Sequence, residues 1–179
     1  MLYIYLGDIV KKVLIFLFII SIGLVMSTSK DDKIVIPTNA IRYRIIANSN
    51  AFKDQEEKML INTEIEPILG NILKSSETIS ESRLNIEKNL PLMENIVGKY
   101  NSNYTVDYGM HYFPEKIYRG ITYPSGNYES LVITLGDGLG DNWWCVLFPP
   151  LCLLEAKEAD LDDATYSFYL KDVIEKFHL

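Results

Sequence analysis

Residues Ile41, Tyr43 and Ile45 alternate with Arg42 and Arg44. This period of two predicts a strand with one apolar face and two guanidinium groups on the other. The basic side reads as a solvated strand face, or as one crossed by an acidic partner or an acidic helix of the same chain. Asn48-Ser49-Asn50 ends the strand and offers oxygens to cap a helix, and Asp54, Glu56 and Glu57 put negative charge in its first turns. Ile61, Ile65, Ile68, Leu69, Ile72 and Leu73 then recur at helical spacing. They predict an amphipathic helix over residues 52–74, kinked at Pro67. Thr78-Ile79-Ser80-Glu81 has capping-box spacing, and Ile86, Leu90, Met93 and Val97 form a second apolar stripe, bent or restarted at Pro91.

Strand patterns return after the helices. Tyr104, Val106, Tyr108, Met110 and Tyr112 share one parity, opposite Thr105, Asp107, Gly109 and His111. In Tyr128 to Leu135 the core parity holds Leu131, Ile133 and Leu135, with Glu129 at the rim. Phe113 to Tyr118 and the turn-like Pro124-Ser125-Gly126 lie between these strands. Trp143 to Phe148 is apolar on both parities, which suits a central strand or one with a face left for a partner. The expected fold is α+β: a single small mixed or antiparallel sheet of about four strands, near 41–47, 104–112, 128–135 and 142–148, with two helical segments packed on one face.

The first residues break this pattern. Val13 to Met26 is apolar except for Ser21 and Gly23, follows Lys11-Lys12 and runs into Ser27-Thr28-Ser29. That order is a signal sequence cleaved near Ser27 or Ser29, or, because Leu2 to Val10 is also largely apolar, a retained N-terminal anchor. The division expected is 1–29 as signal or anchor, 30–40 as linker and 41–179 as one extracytoplasmic domain. Without residues 1–29 the formal charge moves from −7 to −8. An acidic domain does not suit nucleic acid or anionic lipid, so membrane contact is expected only through the N-terminal segment.

Candidate chemistry concentrates in one run, Gly136 to Cys152, which holds both tryptophans and both cysteines of the 179-residue chain. Gly136, Gly138 and Gly140 follow a strand but precede Trp-Trp-Cys-Val-Leu-Phe, not the helix that phosphate binding requires. Asp137 and Asp141 lack the further carboxylates of a calcium loop. The plain expectation is a glycine-rich hairpin turn, with no cofactor, no metal and no small-molecule substrate. Tryptophan is enriched at binding hot spots, so Trp143 or Trp144 is expected to be the exposed one, with Asn142 and Phe148 as neighbouring partner contacts. Cys145 and Cys152 bracket Pro149-Pro150, and an oxidising compartment favours a disulfide between them. Two alternatives are a pair of buried thiols, or a hydrolase in which Cys145 is the nucleophile, His111 the base and Asp137 or Asp141 its orienter.

The runs IRYRIIANSN from Ile41, KDQEEK from Lys53, FPEKIY from Phe113, PSGNYESL from Pro124 and GDGLGDNWWCVLFPPLC from Gly136 resemble the stage II sporulation protein R family of endospore-forming bacteria. The resemblance covers residues 41–152, departing at Asn50 and Ser130. It implies a non-enzymatic signal made in the forespore and exported to the space between the forespore and mother-cell membranes. There it would activate a membrane-embedded aspartic protease that removes the pro-sequence of sigma-E. A structural protein of the intercellular space is the remaining alternative.

Overall fold

A computed structural model describes residues 10–20, 36–118, 121–151 and 172. They fall into two units, Met1–Lys33 and Ile34–Leu179. In the first, residues 10–20 are helical, and Val10 and Val13 to Ile20 are exposed. No helix among the described residues is long and apolar enough to cross a membrane. The expected cleavage positions, Ser27 and Ser29, lie outside the described residues.

The second unit runs β1 (Ile41–Ile46), α1 (Phe52–Lys74), α2 (Ile79–Tyr100), β2 (Tyr104–Phe113), β3 (Lys116–Tyr118), β4 (Ile121–Tyr123), β5 (Gly126–Leu135) and β6 (Asn142–Phe148). The main sheet is four-stranded with order β2-β5-β1-β6; β3 and β4 form a separate two-stranded hairpin. β1 is parallel to β5 and antiparallel to β6, while β2 is antiparallel to β5. The class is α+β with a mixed sheet. β1 takes the centre because its apolar residues Ile41, Tyr43 and Ile45 are fully buried, leaving the longer, half-polar β2 to an edge.

Period two sends Tyr43, Ile45, Leu131, Ile133 and Cys145 to one face, where they meet Ile61, Ile65, Leu69, Ile86, Met93 and Val97 from the helices in one core. Each such fully buried aliphatic side chain contributes about 1.5–3 kcal/mol, so the helix stripes hold this face closed. Pro67 and Pro91 sit inside α1 and α2 without interrupting either helix. Both occupy exposed positions, where water can satisfy the carbonyl a proline leaves unpaired. Thr78 caps α2 by accepting from Glu81 N at 3.2 Å, and Glu81 reaches back to Glu77 N at 2.7 Å. α1 is different: its N-cap is Ala51, with no side-chain cap. Residues 48–50 are used elsewhere.

A register shift between Ile41 and Arg42 pairs Arg42 with Val146 but Ile41 with Phe148. The extra residue turns Phe148 into the core beside Leu147. Chain preceding β1 is also built in: Ile36 and Ala40 are fully buried, and Ile36 N donates to Thr122 O at 3.1 Å.

Candidate functional site

Three of the sequence runs meet at one end of the sheet. The Asn48 side-chain oxygen accepts from Asp137 N at 2.9 Å, and the Asn50 side-chain oxygen accepts from Asp141 N at 2.6 Å. Leu139 N and Gly140 N donate to the carbonyls of Asn48 and Ala47. From α1, Lys58 Nζ donates to Asp141 O at 3.0 Å and to Gln55 Oε1, while Gln55 Nε2 donates to Ser49 O. Asp54 accepts from both Asn48 and Ser49. These bonds hold the Asp54 carboxyl below its ordinary pKa, the Ser49 hydroxyl contributing most. Lys58 is 6% exposed, and burial lowers its pKa against the pull of Asp141.

The glycines follow from this closeness. A Cβ on Gly140 would stand 2.3 Å from the Ser49 carbonyl oxygen, and one on Gly136, at φ +55°, would stand 2.1 Å from Asn48 Oδ1. The Gly136 to Asp141 loop is therefore a bracket that locks β5, β6 and the β1–α1 turn together.

β6 leaves this bracket as an edge strand among the described residues, and its two tryptophans point to opposite faces. Trp143 lies on the helix side, its ring 5.5 Å from Tyr43 and nearly edge-on, above Asn62, Glu66 and Leu69. Trp144 lies on the other side, 4.6 Å from Tyr123 and 6.2 Å from Tyr118. Both are half-buried. Asn142 is exposed at the start of the strand, whereas Phe148 is 3% exposed, which removes it from the surface. Cys145 is buried between Trp143 and Leu147 on the helix side; Cys152 lies outside the described residues.

The face around Trp144 departs most from the sequence pattern. Alternation made Arg42 and Arg44 a solvated or acid-covered basic face; instead aromatic side chains cover it, and Arg42 is 1% exposed. The Arg42 guanidinium carbon lies 3.5 Å from the centroid of the Tyr128 ring and 5.1 Å from that of Phe113. Arg44 lies 4.6 Å from the same Phe113 ring. Arg42 Nη2 donates to Pro124 O at 3.3 Å, but the Nε atoms of both arginines are buried without a partner, and neither has an ion pair among the described residues. Burial lowers the pKa of both, yet a guanidinium stays charged. Between Phe113, Tyr123 and Trp144, with Arg42 in its wall, a cleft of about 150 Å³ opens beside Asn142. Lys116, its Nζ 4.7 Å from the Trp144 ring, and Glu115 line the rest.

The cysteine–histidine pair of the hydrolase alternative is not assembled. Cys145 is on the helix face of edge strand β6, and His111 is on the opposite face of β2, the other edge. Three strand spacings of roughly 4.8 Å separate them. His111 instead bridges Ser130 Oγ and Asp107 Oδ2, each at 2.8 Å. The order Ser–His–Asp suggests a triad, but Ser130 is fully buried, so no substrate carbonyl reaches its hydroxyl. On the helix side, Glu129 accepts from Arg83 and from the Tyr108 hydroxyl.

The cleft residues Phe113, Lys116 and Tyr123 were not singled out by sequence. Their traces in it are the FPEKIY run, which holds Phe113 and Lys116, and the aromatic spacing across Phe113, Tyr118, Tyr123 and Tyr128. A family model described as stage II sporulation protein R matches residues 37–158. The stage II sporulation protein R of Bacillus subtilis (strain 168) is 41% identical over 133 residues, covering 71% of this chain and 59% of that protein. This chain thus aligns with less than two thirds of that relative's length. No solved structure matches.

Proposed function

The chain belongs to the stage II sporulation protein R family, and from that membership we propose that it is an exported sporulation signal which activates a membrane-embedded aspartic protease of the mother cell. The forespore makes it, the apolar segment within residues 1–29 directs or anchors it across the forespore membrane, and the domain from residue 34 acts between the two membranes. Activation leads to removal of the pro-sequence of sigma-E. The cutting carboxylates belong to the protease, and this chain supplies binding energy.

An activator works only by binding the competent state more tightly than the idle one. Moving such an equilibrium from 1:99 to 99:1 takes about 5.5 kcal/mol of differential affinity. Three interface hot spots of about 2 kcal/mol each supply that. The observation that carries this reading is the family match over residues 37–158, which contains the whole bracket and the Trp144 cleft. In the reading proposed, half-exposed Trp144 and exposed Asn142 contact the protease, with a Cys145–Cys152 disulfide holding the end of β6 in shape.

Co-production of the chain, the protease and the pro-sigma substrate in a non-sporulating bacterium tests it. Cleavage is expected only when the chain is present with residues 1–29 intact. Cleavage that is equally complete without the chain, or none with all three present, contradicts it.

A further inference from the structure

The Trp144 cleft has a chemical character of its own. Its wall contains a guanidinium that is 1% exposed and has an unpartnered Nε, and outside the wall the half-buried Arg44, its Nε also unpartnered, shares the Phe113 ring with it. A buried cation is costly unless an anion or well-placed acceptors compensate it. Here the described compensation is aromatic faces and one carbonyl, with no carboxylate among the described residues. Lys116 adds a further cation, over the Trp144 ring, against the single carboxylate of Glu115. A locally cationic hollow suits a single negative group rather than a polyanion, which the net charge of −7 on the whole chain disfavours.

Size narrows the occupant further. Sites for cofactors and drug-sized ligands measure about 300–1,000 Å³, whereas this cleft is about 150 Å³. A cavity of roughly that size accommodates a single benzene-sized group. Aromatic walls suit the methylene stem of one inserted side chain, and the arginine and lysine suit a carboxylate at its tip.

We propose that this cleft is a socket for one acidic side chain, aspartate or glutamate, presented by the partner polypeptide, with Arg42 in its wall, Lys116 at its rim and Trp144 against the stem. The proposal rests on the reading of Trp144 and Asn142 as partner contacts and gives that contact its chemistry.

The test needs no partner protein. The full chain, isotope-labelled at the tryptophan indole nitrogens, is titrated with N-acetylglutamate N-methylamide and, separately, with the corresponding glutamine compound. A Trp143→Phe variant assigns the two indole signals. The glutamate probe is expected to move the Trp144 signal saturably, to bind at least about ten-fold more tightly than the glutamine probe, and to weaken as salt is added. Variants of Arg42 risk the fold, so exposed neighbours carry the comparison: Lys116→Glu weakens the glutamate probe and Glu115→Gln strengthens it. An equal response to both probes, no response at Trp144, or indifference to Lys116→Glu overturns the socket. The protease takes no part in this titration, so its result and the fate of the proposed function are read separately.

Discussion

Asn48 reaches a residue 89 positions further along the chain: its side-chain oxygen accepts from the backbone amide of Asp137 at 2.9 Å, while its amide donates to Asp54 at 2.8 Å. One side chain thereby ties the glycine loop to the start of α1. Asn48→Ala leaves the Asp137 amide unpaired and removes one of the two side-chain bonds to Asp54, that from Ser49 remaining. A loss of about 1–3 kcal/mol is expected, measured as a lower denaturant midpoint. An unchanged midpoint would mean that the bracket does not hold the loop.

Glycine substitutions discriminate the same point. Gly140→Ala drives a methyl group into the backbone of Ser49, 2.3 Å from its carbonyl oxygen, whereas Gly109→Ala meets nothing within 4 Å. The first is expected to cost about 1–3 kcal/mol; the second should stay within about 0.5 kcal/mol. Thermal unfolding of the two variants side by side checks this.

Much of this fold was legible in the sequence. Strand alternation located β1, β2 and β5, an apolar run located β6, and the apolar stripes located both helices, because those elements are long enough for their pattern to repeat. β3 and β4 were not legible: three residues each cannot establish a period. Alternation also misassigned Arg42, since it tells which face a side chain takes but not what covers that face, and the cover here comes from the Tyr128 and Phe113 rings and the Pro124 carbonyl. Phe148 was misplaced for a different reason. A register shift of one residue at the end of β6 changes its face, and no pattern announces it. The Trp144 cleft depends on the hairpin and on the covered face of β1, which is why its aromatic lining leaves so little trace in the sequence.

Acid sensitivity should centre on Glu129. Burial opposes its ionisation, but the bonds from Arg83 and Tyr108 outweigh that, and its pKa is lowered from the ordinary 4.5. A depressed carboxylate pKa contributes stability above the unfolded value, and that contribution is lost as pH falls through the folded value. The unfolding midpoint should therefore decline below pH 4.5, and Glu129→Gln should flatten that decline. A wild-type profile and a variant profile of identical shape would contradict the assignment.

The two tryptophans should separate stability from activity. Trp143 packs on Tyr43 over the core, so Trp143→Ala is expected to lower stability by about 2 kcal/mol, less than the 3–5 kcal/mol of a fully buried aromatic. Trp144→Ala opens the cleft and is expected to reduce protease activation at least ten-fold, while leaving the fold intact by circular dichroism. The reverse pattern would move the contact surface to the helix side of β6.

A Cys145–Cys152 disulfide, as proposed, would close a short loop across Pro149-Pro150. In the chain-entropy model such a link is worth about 2–3 kcal/mol. Peptide mapping of exported, unreduced protein should recover the two cysteines linked, and reduction should lower the melting temperature without abolishing folding. Quantitative free thiol in exported material would exclude the link.

The most direct measurement adds purified full-length chain to the outside of membrane vesicles that contain the aspartic protease and its pro-sigma substrate, and follows cleavage on a gel over time. Cleavage that begins on addition of the wild-type chain, and is at least ten-fold slower with Trp144→Ala, is the expected result. Vesicles whose protease is shown to be competent by another route, yet stay silent when the chain is added, would contradict extracytoplasmic activation by this protein.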